Sequence, residues 1–257
     1  MRYLLSFVLI ICFSYSFSQT VPEPKNPTDV FFSQMQMFIQ ENESLNIPDS
    51  VKRQNLYREL RSFIQKHPTT KNNFYLISTG LNLTYKQVDT LIGLVDSSIR
   101  NAPERSYADI TLKRISVAET GKPFPPLILT DTSGNELAVS ALKGKIVLID
   151  VWSSWCVPCR EQIPDIKKLY KKYNSKGLEI IGISMDDNKQ NWLKAIQKDR
   201  QTWKAYCEFR NWRYNKFAIR FYVYAIPANY LIDENGILVG QDLSTEALNT
   251  WIAQHHL

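Results

Sequence analysis

Two runs in this chain, Ile146–Trp152 and Leu178–Ser184, are almost continuously apolar and do not alternate with polar residues. A strand with one wet face alternates, so a strand that does not is covered on both faces. Each run is followed by a segment with helical spacing. Strand and helix in that order build a sheet whose strands run mostly parallel, with helices on both sides. Two hairpins are expected at its margins. Residues 127–129 and 136–139 flank Asp131-Thr132-Ser133-Gly134-Asn135, and Ala228–Ile232 and 237–240 are joined through Asp233-Glu234-Asn235-Gly236. An amphipathic helix over 244–253 closes the chain. The expected fold class of 118–257 is α/β, a central sheet flanked by helices.

The preceding segment has a different pattern. Over 26–117 no strand-like alternation of useful length occurs, and apolar residues recur at helical spacing. Val30, Phe31, Met35, Phe38 and Ile39 form one such stripe, and Leu56, Leu60, Phe63 and Ile64 form another before a stop at His67-Pro68. Thr84 opens a helix with Val88, Leu91, Ile92 and Val95 on its apolar face; Asn101-Ala102-Pro103 breaks it, and 106–115 forms a last short helix. Gly121-Lys122-Pro123 and Pro125-Pro126 mark the boundary between this helical region and the sheet-forming segment. The helical region, 19–117, carries no paired acids, thiols or metal spacing, and His67 reads as a helix-end residue. A structural, positioning role is expected.

The first residues set the compartment. Met1-Arg2, the apolar run 3–13 and small residues at Ser16 and Ser18 make a signal peptide over 1–18, cleaved near Ser18-Gln19. The apolar run is too short for a membrane helix, which needs about 20 residues. Ile11 before Cys12 does not suit lipid attachment. The mature protein is therefore expected in the periplasm, without a membrane anchor. Lys and Arg exceed Asp and Glu by 31 to 25, and the one dense cluster, Lys167, Lys168, Lys171, Lys172 and Lys176, falls at helical spacing as a solvated face. No nucleic-acid partner is expected.

Export makes the cysteines informative. After Cys12 leaves, Cys156, Cys159 and Cys207 remain. Three thiols do not make a disulfide framework, and one close pair points to redox chemistry. Cys156-Val157-Pro158-Cys159 comes directly after the strand ending at Trp152 and opens a helix. A thiol at a helix N-terminus meets unpaired N–H groups and the positive dipole end, which stabilise thiolate. A second thiol one turn along can attack the mixed disulfide formed by the first. The alternative, half of a zinc site, lacks two further ligands at suitable spacing. No metal or other cofactor is expected. Cys207 reads as a small apolar filler, Trp152 as core, and Trp155 as part of the rim.

The segment Lys145-Ile146-Val147-Leu148-Ile149-Asp150-Val151-Trp152-Ser153-Ser154-Trp155-Cys156-Val157-Pro158-Cys159-Arg160 resembles the active-site strand and helix of thioredoxin-fold proteins, and more closely the exported TlpA/ResA-like thiol–disulfide oxidoreductases. The resemblance runs from Gly121 to the C-terminus. It takes in the opening hairpin, Pro164 inside the active-site helix, and Ala225-Ile226-Pro227-Ala228-Asn229-Tyr230-Leu231-Ile232-Asp233, which matches the loop holding the family's cis-proline. It implies a thioredoxin-like domain over 118–257 with Ile226-Pro227 cis, presenting backbone to a substrate strand. Trp155, Val157, Pro158, Ile226 and Pro227 are the implied substrate-binding residues. One departure concerns the family's glutamate three residues after the second cysteine, where this chain has Gln162. Glu161 is one position early and so rotated by about 100° on a helix. Asp150, matching the buried aspartate of thioredoxin, takes its place as the expected proton acceptor for Cys159.

The expected function is a thiol–disulfide oxidoreductase with Cys156 attacking, Cys159 resolving and Asp150 accepting a proton. The resemblance leans toward reduction, including delivery of electrons to apocytochrome c thiols. Its partners would be the thiols and disulfides of other exported proteins, together with a membrane or periplasmic electron donor. Two alternatives stand beside it. A thiol peroxidase would carry Pro-x-x-x-Thr-x-x-Cys, which is absent before Cys156. A partner-binding module without turnover would have no need of an intact cysteine pair matched with Pro227.

Overall fold

The computed structural model describes residue 37, residues 49–80 and residues 82–255. The expected signal peptide and the stripe from Val30 to Ile39 lie outside the described residues, Met37 apart. The elements in chain order are α1 Asp49–Lys66, α2 Asn72–Ser78, α3 Tyr85–Gly93, α4 Arg105–Val117, β1 Ile128–Thr130, β2 Glu136–Ala138, β3 Ile146–Trp152, α5 Val157–Tyr173, β4 Leu178–Ser184, α6 Lys189–Asp199, β5 Lys204–Cys207, α7 Lys216–Phe221, β6 Ala228–Ile232, β7 Leu238–Gln241 and α8 Thr245–His255.

β3 is the middle strand of a five-stranded sheet ordered β5-β4-β3-β6-β7, and every one of its residues is buried. Successive side chains go to opposite faces. Val147, Ile149 and Val151 join a core with Phe217, Phe221 and Tyr230, while Ile146 and Leu148 join another with Ile163 and Ile166 of α5 and Leu248 of α8. This is why the strand does not alternate. β1 and β2 form the separate opening hairpin, whose Asp131 carboxylate accepts from the Ser133 and Asn135 N–H groups.

The sheet is mixed, which corrects the expectation of mostly parallel strands. β3–β4 and β4–β5 are parallel, but β3–β6 and β6–β7 are antiparallel. The hairpin turn enforces the last pairing: Asp233 Oδ1 accepts from Asn235 and Ile237 N–H, and Gly236 takes φ +83°. β6 begins where β3 ends, with Ala228 opposite Val151. That places Pro227 beside the loop leaving β3.

Helices α1 to α4 enclose a core of their own, built from Leu60, Ile64, Phe74, Leu91 and Ile115 among others. Thr84 caps α3 in a reciprocal capping box with Gln87. α2 has no side-chain cap to announce it in the sequence. This region is fastened to the sheet edge. The Asn82 side chain bonds both the N–H and C=O of Gln241 on β7, and Gln241 Nε2 donates to the Ala118 carbonyl. Such cover protects an edge strand. Arg114 reaches the Asp242 carboxylate at 2.7 and 3.2 Å. Burial pulls the Arg114 pKa down, but Asp242 and Tyr230 more than reverse this and leave it raised.

Candidate active site

Trp152 ends β3, and the chain turns through Ser153, Ser154 and Trp155 into α5. Cys156 is the N-cap of that helix, in extended conformation, and its Sγ accepts from the Cys159 N–H at 3.2 Å. The two cysteines are joined as a disulfide, with Cα atoms 5.3 Å apart. Both are buried, whereas Trp155, Val157 and Pro158 around them are exposed. Sulfur is thus reached through an apolar rim. The Ile226-Pro227 peptide is cis, and Ile226 packs against the cluster formed by Trp152, the two cysteines, Trp192 and Ala195. Trp155 also leans on Trp212, their rings 5.8 Å apart, and the Trp212 indole donates to the Val223 carbonyl. Trp155 also lines a cavity of about 300 Å³ with Ser154, Arg160, Asn191, Lys194, Ala195 and Lys198.

Asp150 lies one position beyond the Ile149 side chain on β3 and therefore shares a face with Leu148 and Trp152, the face that α5 covers. It is buried, and burial alone pushes its pKa up to about 7. Desolvation disfavours the charged form, and here no neighbouring cation opposes it. A carboxyl that titrates near neutrality on the Cys159 side of the sheet is suited to exchanging protons. Glu161, by contrast, is exposed.

Asp186 is a residue of the candidate site that sequence reasoning misses. It lies just beyond β4, buried, and its carboxylate accepts from the Ser154 N–H, the Ser154 hydroxyl and the Ser184 hydroxyl. It thereby anchors the loop immediately before Trp155 and Cys156. The signal available is Ser184-Met185-Asp186 at a strand end, a pair of polar residues two apart after an apolar run. Arg160 adds a second anchor, pairing with Asp199 at 2.7 and 2.8 Å and so tying the first turn of α5 to the end of α6. Asp186→Ala is expected to destabilise the oxidised protein by about 2 kcal/mol, since it strips a charged acceptor from two hydroxyls and an N–H. Urea unfolding checks this, and an unchanged midpoint would deny the anchoring role.

Cys207 ends β5, a strand that sequence pattern does not reveal because only four residues at the sheet edge form it. It is half-buried, its thiol donates to the Asp186 carbonyl at 3.1 Å, and burial pushes its pKa up. That makes it a poor nucleophile. Among the described residues no group of three His, Cys, Asp or Glu side chains is arranged to hold a metal ion.

A cysteine pair at the first turn of the helix after the central strand, in this sheet, defines a thioredoxin-like thiol–disulfide oxidoreductase. Sequence comparisons with known proteins agree. The family model described as AhpC/TSA matches residues 120–241. The thiol–disulfide oxidoreductase ResA of Bacillus thuringiensis subsp. konkukian (strain 97-27) is 32% identical over 132 residues, which span 47% of this chain and 68% of that one. ResA of Geobacillus thermodenitrificans (strain NG80-2) is 28% identical over 130 residues, 51% of this chain and 72% of that one. A solved thioredoxin domain of a thiol–disulfide oxidoreductase from Bacteroides vulgatus, 28% identical, covers 54% of this chain and 98% of its own, with a TM-score of 0.49. The chain belongs to the ResA-like family of thiol–disulfide oxidoreductases.

Proposed function

We propose that the protein is an exported reductase of disulfides in other exported proteins, working through Cys156 and Cys159. In the reduced enzyme the Cys156 thiolate attacks one sulfur of a substrate disulfide. A Cys156–substrate mixed disulfide forms and one substrate thiolate leaves. Cys159 then attacks Cys156 Sγ, giving its proton to Asp150, and the second substrate thiol departs. The substrate has gained two electrons and the enzyme holds the Cys156–Cys159 disulfide. A membrane or periplasmic thiol donor returns it to the dithiol. Trp155, Val157, Pro158, Ile226 and Pro227 form the surface on which the substrate chain lies. Apocytochrome c thiols are one such substrate. The chain divides into a signal peptide over 1–18, a helical positioning region over 19–117 and the thioredoxin-like domain over 118–257. Among the described residues no helix is long and apolar enough to cross a membrane.

The observation that carries the reading is the cysteine pair at the N-terminus of α5 above a buried carboxyl titrating near neutrality. Reduction of insulin disulfides tests it. Turnover that needs both cysteines supports the reductase. Binding of insulin chains without any cysteine-dependent turnover would leave a partner-binding module instead.

A further inference from the structure

Strand β3, strand β4 and the residue leading into β5 meet at one small volume on the face of the sheet that α5 covers. Asp150 and Trp152 are two apart on β3 and face the same side. Gly182 on β4 is the cross-strand neighbour of Asp150. Trp203 precedes β5, two residues before Ala205, which pairs with Gly182. A Cβ on Gly182 would stand 3.2 Å from Trp152 Nε1 and 3.3 Å from Trp203 Nε1. Two indole N–H groups therefore converge above the one residue in this patch that has no side chain, one strand spacing, about 4.8 Å, from Asp150.

Both rings are buried, at 1% and 6% exposure. Neither indole N–H has a hydrogen-bond partner among the described residues. Buried donors in native proteins are almost always satisfied, and where protein supplies no acceptor a water does so, given two to four polar partners. The two indoles and the Asp150 carboxyl make three. We propose that Trp152, Trp203 and Asp150 hold one buried water over Gly182, the indoles donating to its oxygen and the water donating to the carboxylate.

This inference rests on the reading of Asp150 as the proton acceptor and deepens it. Trp203 and Trp152 become positioning residues: through the water they stabilise the carboxylate in a site that otherwise only penalises it. Gly182 is required because a methyl group would occupy the space between the two N–H groups. The other titratable side chains in the clusters on this face are Tyr170 and Tyr173 of α5 and Cys207 of β5, Cys156 and Cys159 being joined as a disulfide; the charged side chains of α5 are Arg160, Glu161, Asp165, Lys167, Lys168, Lys171 and Lys172. The Arg160–Asp199 and Lys145–Glu179 ion pairs lie at its margins. None of these contributes to the Asp150 shift, whose one cause is burial.

The test uses the full-length oxidised protein and so does not depend on turnover. Two measurements are made by NMR: magnetisation transfer from water to the Trp152 and Trp203 indole N–H protons, and the titration of the Asp150 carboxyl carbon. Transfer from a long-lived water to both indoles is expected. Trp203→Phe, which keeps an aromatic ring and removes one donor, is expected to move the Asp150 midpoint to about tenfold lower proton concentration. Gly182→Ala is expected to shift it in the same direction, with water transfer lost at both indoles. Absence of water transfer in the parent protein, or an unmoved Asp150 midpoint in a folded Trp203→Phe variant, overturns the proposal. If Asp150→Asn left the resolving step unchanged while water transfer persisted, the acceptor role would fail and the water site would stand.

Discussion

Cys159→Ser is expected to accumulate a covalent adduct between Cys156 and its protein substrate, whereas Cys156→Ser is expected to show neither adduct nor turnover. The asymmetry comes from position. Cys156 is the helix N-cap, where backbone N–H groups and the dipole stabilise thiolate, and it is framed by the exposed Trp155, Val157 and Pro158. Cys159 sits one turn inside the helix, on the face of the sheet that Asp150 shares, and is the proposed resolving thiol. Without a resolving thiol the mixed disulfide has no intramolecular exit. Cys207 offers no substitute, because its thiol is held by the Asp186 carbonyl and its pKa is raised. Non-reducing electrophoresis and mass spectrometry of the adduct check this. Normal turnover by Cys159→Ser would refute the two-cysteine mechanism.

Asp150→Asn is expected to slow the resolving step and to stabilise the fold, two effects of opposite value. In the proposed role of proton acceptor, the carboxylate would contribute on the order of 10²-fold to the rate of Cys159 attack, which the amide cannot supply. The stability effect has a definite sign. In the folded protein Asp150 titrates at about 7, against an ordinary value of 3.8. Between those two pH values the folded state holds a proton that the unfolded chain has released, so stability falls as pH rises across that window and levels off above it. Asparagine has no such proton. The variant should match the parent near pH 3.5 and exceed it above pH 8, by up to about 4 kcal/mol. Urea unfolding of the two oxidised proteins at both pH values measures this. A variant less stable at pH 8, with unimpaired resolution, would make Asp150 an ordinary structural acceptor.

The features legible in the sequence are those that local chemistry announces. The unalternating β3 and β4 runs, the Asp233–Gly236 turn, the Thr84 cap and the cysteine pair each carry their cause within a few residues, and each stands where it was expected. The Ile226-Pro227 loop required a resemblance, because nothing local separates it from an ordinary turn proline. The hidden features depend on register between distant strands. Gly182 looks like a weak point in β4 until its neighbours are known to be Asp150 on one side and Ala205 on the other. Asp186 is one acid among many until Ser154 is brought to it. The antiparallel arrival of β6 depends on a long connection through α7, whose path no spacing rule gives.

The claim that this pair works as a reductant is tested most directly by its reduction potential, measured by equilibrating the full-length protein with glutathione or dithiothreitol buffers and quantifying the Cys156–Cys159 disulfide. Thioredoxin, a reductant of this fold, lies at about −270 mV, and a potential in that region or below is expected here. A potential near the strongly oxidising end, about −120 mV, would contradict it and make the protein a donor of disulfides.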